Sequence, residues 1–317
     1  MNWRKGDRRM KALVFEIRQG RSSLRYSEAP APELAAGDLL VNVSATSINR
    51  ADHLLLEGKG PGEAPATNIP GKDFVGFVRQ APGANYPFSE GERVVGVMPT
   101  EQFGAHATQI SISPRFVARA PEGVPDEILA HAGLAALTAL VSIEDSLQVR
   151  EGETVLIEGA AGGVGGFAVQ IAHKRGARVL ATAWRGNHDY VRSLGADHVV
   201  DPDIGGLDDP RSQCDAVLQT VGGPEALRAF EALKPAGRAA FLGSGPSGPA
   251  APSAFYTSLR PNVERSRSNL DRLAAALRDG ELMRSEIRVL PLSEGKEAFA
   301  HDRMRHRKGR TVMSIPQ

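Results

Sequence analysis

The chain has 317 residues, 41% of them hydrophobic and 24% charged, with a formal net charge of +1, enough for two globular domains. A charge so near zero gives no broad footprint for nucleic acid or a membrane surface. The lone cysteine, Cys214, excludes an internal disulfide and a cysteine-built zinc cluster; with no secretory signal and no apolar run near the about 18 residues of a membrane span, the expected location is the cytoplasm.

In chain order, residues 1–9 read as a flexible basic extension ahead of Met10. From 10 to about 120, short apolar and β-branched runs (KALVFEI, DLLVNVSATSI, VGFVRQ, RVVGVM and the stretch near AHATQISI) alternate with Pro and Gly turns. That spacing predicts a small barrel-like β domain. From Pro125 to about 148 the pattern is Ala- and Leu-rich and helical, with Asp126 and Glu127 suited to the first turn. TVLIEGAAGGVGGFAVQIAHKRGARVLATA then reads as strand, Gly-rich turn, helix and strand. HDYVRSLGADHVVD predicts a helix ending at Gly195 and a strand over His198–Val200, and CDAVLQTVG predicts another strand. A helix is expected over Glu225–Leu233, followed by a strand and a second Gly-rich turn in GRAAFLGSGPSG. Strands alternating with helices from about 125 to 250 predict a parallel, doubly wound sheet. The tail holds one amphipathic helix, SNLDRLAAALRDGEL, stopping at Gly280, and a closing strand in GRTVMSIP.

The Gly-rich turn carries the chemistry. Glycines 159, 162 and 165 fall at G-x-x-G-x-x-G spacing, with Gly163 and Gly166 beside them. Without Cβ atoms the chain turns tightly and approaches a pyrophosphate closely, and the following helix aims its free N–H groups and positive dipole end at the phosphates. NAD-binding folds end the next strand with an acid that accepts from the ribose 2′-hydroxyl. Here that place reads LATAWRGNH, with no acid before Asp189. Arg185 stands where a 2′-phosphate would lie and offers it paired N–H donors, which predicts NADPH.

Seven segments in order resemble the zinc-independent branch of the medium-chain dehydrogenase/reductase superfamily, which includes the quinone oxidoreductases and zeta-crystallin-like proteins: SINRADHLLLEG, IPGKDFVGFV, EGERVVGVM, GLAALTAL, the GAAGGVGG stretch, RSLGADHVVD and RKGRTVM. The resemblance implies an α/β architecture with a GroES-like β-barrel catalytic domain over 10–122, completed by 283–317. A Rossmann NADPH-binding domain would span 123–282, with the active site in the cleft and the chain assembled as a homodimer or homotetramer. GKDFVG stands where the zinc-dependent branch has G-H-E-x-x-G, with Lys72 and Asp73 replacing His and Glu, and His106 and His131 are isolated; no metal is expected.

By position in the matching motifs, Asn49 is the expected active-site residue, its amide donating to a carbonyl or quinone oxygen, with Asp52 fixing the loop beside it. Leu54 replaces the tyrosine that quinone reductases often carry. The cofactor-binding set is Thr138, Gly159, Gly162, Gly163, Val164, Gly165, Arg178, Arg185, Gly243, Ser244 and Arg305. The implied activity is NADPH-dependent hydride transfer to a small electrophile, a quinone, enone or enal, by positioning and polarisation. The alternatives are an enoyl reductase acting on a biosynthetic or carrier-bound substrate, and a non-catalytic, crystallin-like NADPH-binding protein.

Overall fold

A computed structural model describes residues 9–19, 21–59, 68–83, 86–202, 213–243, 249–282, 285–304 and 307–316. The first part of the chain supplies β1 (Arg9–Arg18), β2 (Arg21–Pro30), β3 (Leu39–Ser47), α1 (Arg50–Leu56), β4 (Asp73–Gln80), β5 (Arg93–Val97), β6 (Gln109–Ile112) and β7 (Val117–Arg119). The middle supplies α2 (Asp126–Leu140), β8 (Thr154–Glu158), α3 (Gly163–Lys174), β9 (Arg178–Thr182), α4 (His188–Ser193), β10 (His198–Val200), β11 (Cys214–Gln219), β12 (Leu233–Phe241) and β13 (Thr257–Leu259). α5 (Arg267–Arg278), β14 (Ile287–Pro291), α6 (Gly295–Asp302) and β15 (Arg310–Ser314) complete it.

The strands form a two-stranded ribbon, β1–β2, and two larger sheets. The six-stranded sheet runs β10-β9-β8-β11-β12-β13, all parallel. That order reverses direction beside β8 and is the doubly wound dinucleotide-binding arrangement, whose ligand crevice lies at the carboxyl ends of the strands. The seven-stranded sheet runs β14-β15-β3-β4-β5-β7, with β6 also on β3. β15 returns from the end of the chain to pair with Ala45–Ser47 of β3, so the GroES-like sheet is built from both ends of the sequence.

α2 joins the two halves. It packs on α3 and α5 on one side and on β3, β4, β5 and β15 on the other, and Leu129, Leu137 and Ala136 lie wholly buried in the larger core. With the π-helical turn Val141–Ser146 it is long and apolar enough to cross a bilayer by those measures alone, but 72% of its apolar window is buried inside the protein. Burial between two sheets accounts for its composition.

One strand went unmarked in the sequence and one expected helix needs correction. Seven of the ten residues of β2 are exposed, so a period-2 apolar pattern had little to mark. The helix expected over Glu225–Leu233 is a 3-10 run, Pro224–Phe230, and Leu233 already opens β12. Pro235 disfavours a helical Lys234, which leaves the segment too short to continue.

Candidate functional site

The nucleotide turn begins where β8 ends. Gly159 has φ +71°, a left-handed conformation that favours glycine. Gly162 N–H bonds back to Gly159 O at 3.0 Å, and the first helical bond of α3 runs from Gly166 N to Gly162 O at 2.8 Å. The N–H groups of Gly163, Val164 and Gly165 therefore precede any helical partner and face the crevice end of the sheet. A Cβ on Gly165 would stand 2.3 Å from Gly159 O and 2.8 Å from Ala160 Cα, so the turn closes only with glycine there.

A second segment meets this turn. Gly309 bridges to Gly162, donating its N–H to Ala161 O at 2.8 Å. The next residue, Arg310, is buried; it donates from Nη1 to Ile48 O at 2.6 Å, while its Nε has no acceptor. A Cβ on Gly163 would fall 2.2 Å from that Nε, so an unsatisfied guanidinium N–H lies at the start of α3. A buried donor left unpaired is costly, and a pyrophosphate would pair it. The loop geometry, the free helix N–H groups and Arg310 together fit the phosphates of a dinucleotide. Arg310 was not among the sequence candidates; its signal was the basic residue after the Gly of the closing motif.

Ile48 leads to the second part of the site. Asn49 caps α1, and its side-chain nitrogen donates to Asp73 Oδ2 at 3.0 Å. Asp73 also accepts from Ser47 Oγ at 3.0 Å, Ser47 N at 3.3 Å and Leu134 N at 3.1 Å. α2 approaches this closely because Gly133 has no Cβ, which would stand 2.5 Å from Asp73 Cβ. Burial pushes the Asp73 carboxyl above its usual range, against the opposing bond from Asn49. Asp52 accepts from Asn49 N at 2.7 Å and Gly71 N at 2.8 Å, and so clamps the two loops together.

This corrects the role expected of Asn49. Its amide nitrogen donates to a buried carboxyl group 24 residues away in sequence and also reaches Ser47 O at 3.5 Å, so its two N–H groups have protein acceptors rather than standing ready for a substrate oxygen. Lys72, only 1% exposed, donates to the carbonyls of Pro99, Thr100 and Gln102, and its ammonium lies 3.5 Å from the centre of the Phe103 ring. Burial and the neighbouring Arg265 push its pKa down to about 7, against the pull of Asp52 and Glu101. Arg265 arrives from the other half of the molecule. Its Nη1 donates to Met98 O at 2.7 Å, and its buried Nε has no acceptor.

The remaining candidates scatter. Arg178 opens β9 and pairs with Thr154, the first residue of β8, so it lies at the end of the sheet opposite the Gly-rich turn. The strand runs away from it toward the crevice, which removes it from the cofactor set. Arg185 is exposed just beyond β9, and its N–H donates to Asp201 Oδ2 at 3.1 Å. Asp201 is an acid that the sequence order hid, because it follows β10 rather than β9. Thr138 lies in α2 with its hydroxyl donated to Leu134 O at 2.7 Å. Gly243 follows β12, where a Cβ would stand 2.8 Å from Gly222 Cα, so packing of two loops explains this glycine. Leu54 is half-buried in α1. Ser244 and Arg305 lie outside the described residues.

His106 and His131 do not converge. His106 bonds Ser47 O at 3.1 Å through Nε2, and His131 stacks on Phe167 with centroids 4.7 Å apart. Burial, with Arg310 and Arg307 nearby, pushes the His131 imidazole down to about 3, so it is neutral. Among the described residues no cluster of three or more His, Cys, Asp or Glu side chains could hold a metal ion.

Comparison with known proteins agrees with this fold. The family signature described as an alcohol dehydrogenase GroES-like domain matches residues 35–122, and that described as a zinc-binding dehydrogenase matches 163–276, a span that excludes Lys72 and Asp73. Erythronolide synthase EryA2 of Saccharopolyspora erythraea is 37% identical over 177 residues, 55% of this chain and 5% of that protein. The probable acrylyl-CoA reductase AcuI of Escherichia coli (strain K12) is 31% identical over 200 residues, 61% of each. The chain thus spans less than two thirds of the length of these curated relatives. The solved quinone oxidoreductase of Coxiella burnetii superposes with a TM-score of 0.87 at 26% identity, covering 98% of this chain and 100% of that one.

Proposed function

Because this chain belongs to the medium-chain dehydrogenase/reductase superfamily and is an oxidoreductase of that family, we propose that it uses NADPH to reduce an electrophilic C=C bond or quinone without a metal. The observation that carries the proposal is the pair at 72 and 73. Where the zinc-dependent branch has ligands, this chain holds a lysine whose Nζ is ringed by three carbonyl oxygens, and a carboxyl group already accepting from three residues. Protein partners surround both side chains and leave neither a side open to a metal. An alkoxide then lacks its Lewis acid, while an enolate or hydroquinone anion spreads its own charge and needs less help.

When bound, the nicotinamide supplies a hydride. The protein's part is to hold and orient. The N–H groups of Gly163, Val164 and Gly165 and the Arg310 guanidinium would hold the pyrophosphate, and Arg185 would meet the 2′-phosphate. Asp73, whose carboxyl burial pushes above its usual range, accepts from Ser47, Asn49 and Leu134 and ties them into one rigid wall between the two sheets. The test is NADPH and NADH oxidation at low concentration with a panel of quinones, enones and 2-enals. Turnover with NADPH at a higher kcat/KM supports the reading; equal use of NADH removes the NADPH assignment, and silence with every acceptor removes the reductase.

A second reading shares the chemistry. Among the relatives are a protein named as a pikromycin polyketide synthase component and one named as a probable acrylyl-CoA reductase, which favours a 2-enoyl thioester as the electrophile. Adding crotonyl-CoA to the same panel separates the two, since a free-ketone reductase gains nothing from the thioester.

A further inference from the structure

The Asn49 amide nitrogen has two acceptors within the protein, Asp73 Oδ2 at 3.0 Å and Ser47 O at 3.5 Å, which points to another group as the donor to the electron-rich oxygen of the substrate. Lys72 cannot, because an ammonium has three donors and Pro99, Thr100 and Gln102 accept all three. We propose that Arg265 receives the carbonyl oxygen of the substrate and stabilises the negative charge that gathers there. The proposal rests on the reductase reading above and adds to it the catalytic donor.

Three observations support it. Arg265 comes from the segment between β13 and α5, but its Nη1 bonds Met98 O at 2.7 Å, so the guanidinium stands where the two halves of the molecule meet. Lys72 O in turn accepts from Met98 N at 2.6 Å, which puts Arg265 one residue from the pair that replaces the zinc ligands. Asp73 and Asp52, the two carboxyls of the Asn49 cluster, lie near enough for their charges to act on it, as does Glu101. Second, its Nε is buried and unpaired. Third, a guanidinium is planar and always charged, and with Nη1 anchored its orientation is set before any ligand arrives.

The chemistry balances. Hydride arriving at the β-carbon of an enone moves the C=C pair toward the carbonyl, forming a C–H bond and an enolate oxygen. The Arg265 N–H groups donate to that oxygen more strongly as its charge grows, and a proton from water completes the α-carbon. NADPH is oxidised to NADP⁺ and the C=C bond is reduced.

The test compares wild type with Arg265→Met and Arg265→Lys. NADPH affinity is read by its fluorescence. Affinity for 4-phenyl-2-butanone, a ketone with no reducible C=C bond, is read by calorimetry with NADP⁺ present, and kcat and KM are measured on 4-phenyl-3-buten-2-one. Arg265→Met is expected to lose about 100-fold in kcat, the effect of removing one such donor, and about tenfold in ketone affinity, with NADPH affinity within twofold of wild type. Arg265→Lys, which retains the charge without the fork, is expected to fall between them. Unchanged ketone affinity in both variants overturns the assignment. So does an equal loss of ketone and NADPH affinity, which would make Arg265 only a tether to Met98. A wild type that binds ketone but oxidises no NADPH sinks the reductase reading instead, and the ketone titration still decides Arg265 because it needs no turnover.

Discussion

Three neighbouring glycines separate the demands of the nucleotide turn. In Gly163→Ala the new Cβ would lie 2.2 Å from Arg310 Nε, 2.8 Å from Nη2 and 2.9 Å from Cζ, where ordinary contact begins at 3.4 Å. Arg310 must give by more than an ångström, yet its Nη1 is bonded to Ile48 O and its backbone N to Glu286 O. Losing one charge-assisted hydrogen bond costs about 1.5–3 kcal/mol, offset by about 1 kcal/mol of helix propensity from Gly to Ala. A net loss of about 0.5–2 kcal/mol would lower Tm by about 1–8 °C, at about 2–4 °C per kcal/mol for a domain of this size. Displacing the guanidinium from the phosphate site adds about a tenfold rise in the NADPH Kd, or roughly 1.4 kcal/mol. Gly165→Ala meets backbone, Gly159 O at 2.3 Å and Ala160 Cα at 2.8 Å, so the turn itself must open and binding should fall about 100-fold or more. Gly166→Ala meets only the end of the Leu194 side chain at 3.3 Å and should bind as wild type. Fluorescence titration with NADPH and thermal unfolding with and without it rank the three. The reasoning fails if Gly163→Ala binds within twofold of wild type, or if Gly166→Ala is as damaged as Gly165→Ala.

Lys72 sets a pH dependence of known sign. Its folded pKa of about 7 lies below the 10.5 of a free lysine, so the unfolded chain holds the extra proton between these values. The stability of wild type relative to Lys72→Met should rise with pH across that window, by up to about 1.4 kcal/mol per unit; urea unfolding at pH 6.5, 8 and 9.5 that shows a flat or falling difference is the contrary result. Asn49→Ala leaves the buried Asp73 without its amide donor and should cost about 1–3 kcal/mol of unfolding free energy, while KM for the acceptor stays near wild type; a KM increase without loss of stability would return Asn49 to the substrate. Arg185→Ala should raise the NADPH Kd about tenfold, the loss of one charge-assisted phosphate contact, and leave NADH binding unchanged; parallel losses for both nucleotides would assign Arg185 a merely structural role.

The parts legible in the sequence are those written in local periodicity. β8, the Gly-rich turn and α3 follow one another with no tertiary information needed, and β10 and α5 lie where Ala-, Leu- and Gly-based signals put them. The site was less legible because its contacts are long in sequence. Asn49 is a motif residue, but its partner lies on β4, and only the folded chain shows that the amide is already engaged. Arg178 was a candidate only by its place in the motif; it borders β9 as Arg185 does, but a strand has two ends, and only one faces the crevice. Arg310 and Arg265 are single arginines among many, distinguished only by a buried Nε that nothing accepts from.

Those two arginines bear on the proposed reduction without a metal. The ammonium of Lys72 occupies the position where the zinc-dependent branch places a ligand, but its hydrogen bonds all go to the 99–102 loop, so it organises the wall and cannot polarise a substrate. Among the described residues, the arginines whose buried Nε has no acceptor are Arg310 and Arg265. Arg310 lies beside Gly163 at the nucleotide turn, and Arg265 lies beside Met98 at the barrel wall. Each unpaired donor costs free energy in the unliganded protein and recovers it when an oxygen arrives. A site that carries two such donors, one in each half of the cleft, is prepared for two oxygen-rich groups at once: a pyrophosphate on Arg310, and on Arg265 an oxygen that becomes an anion only as the hydride is transferred.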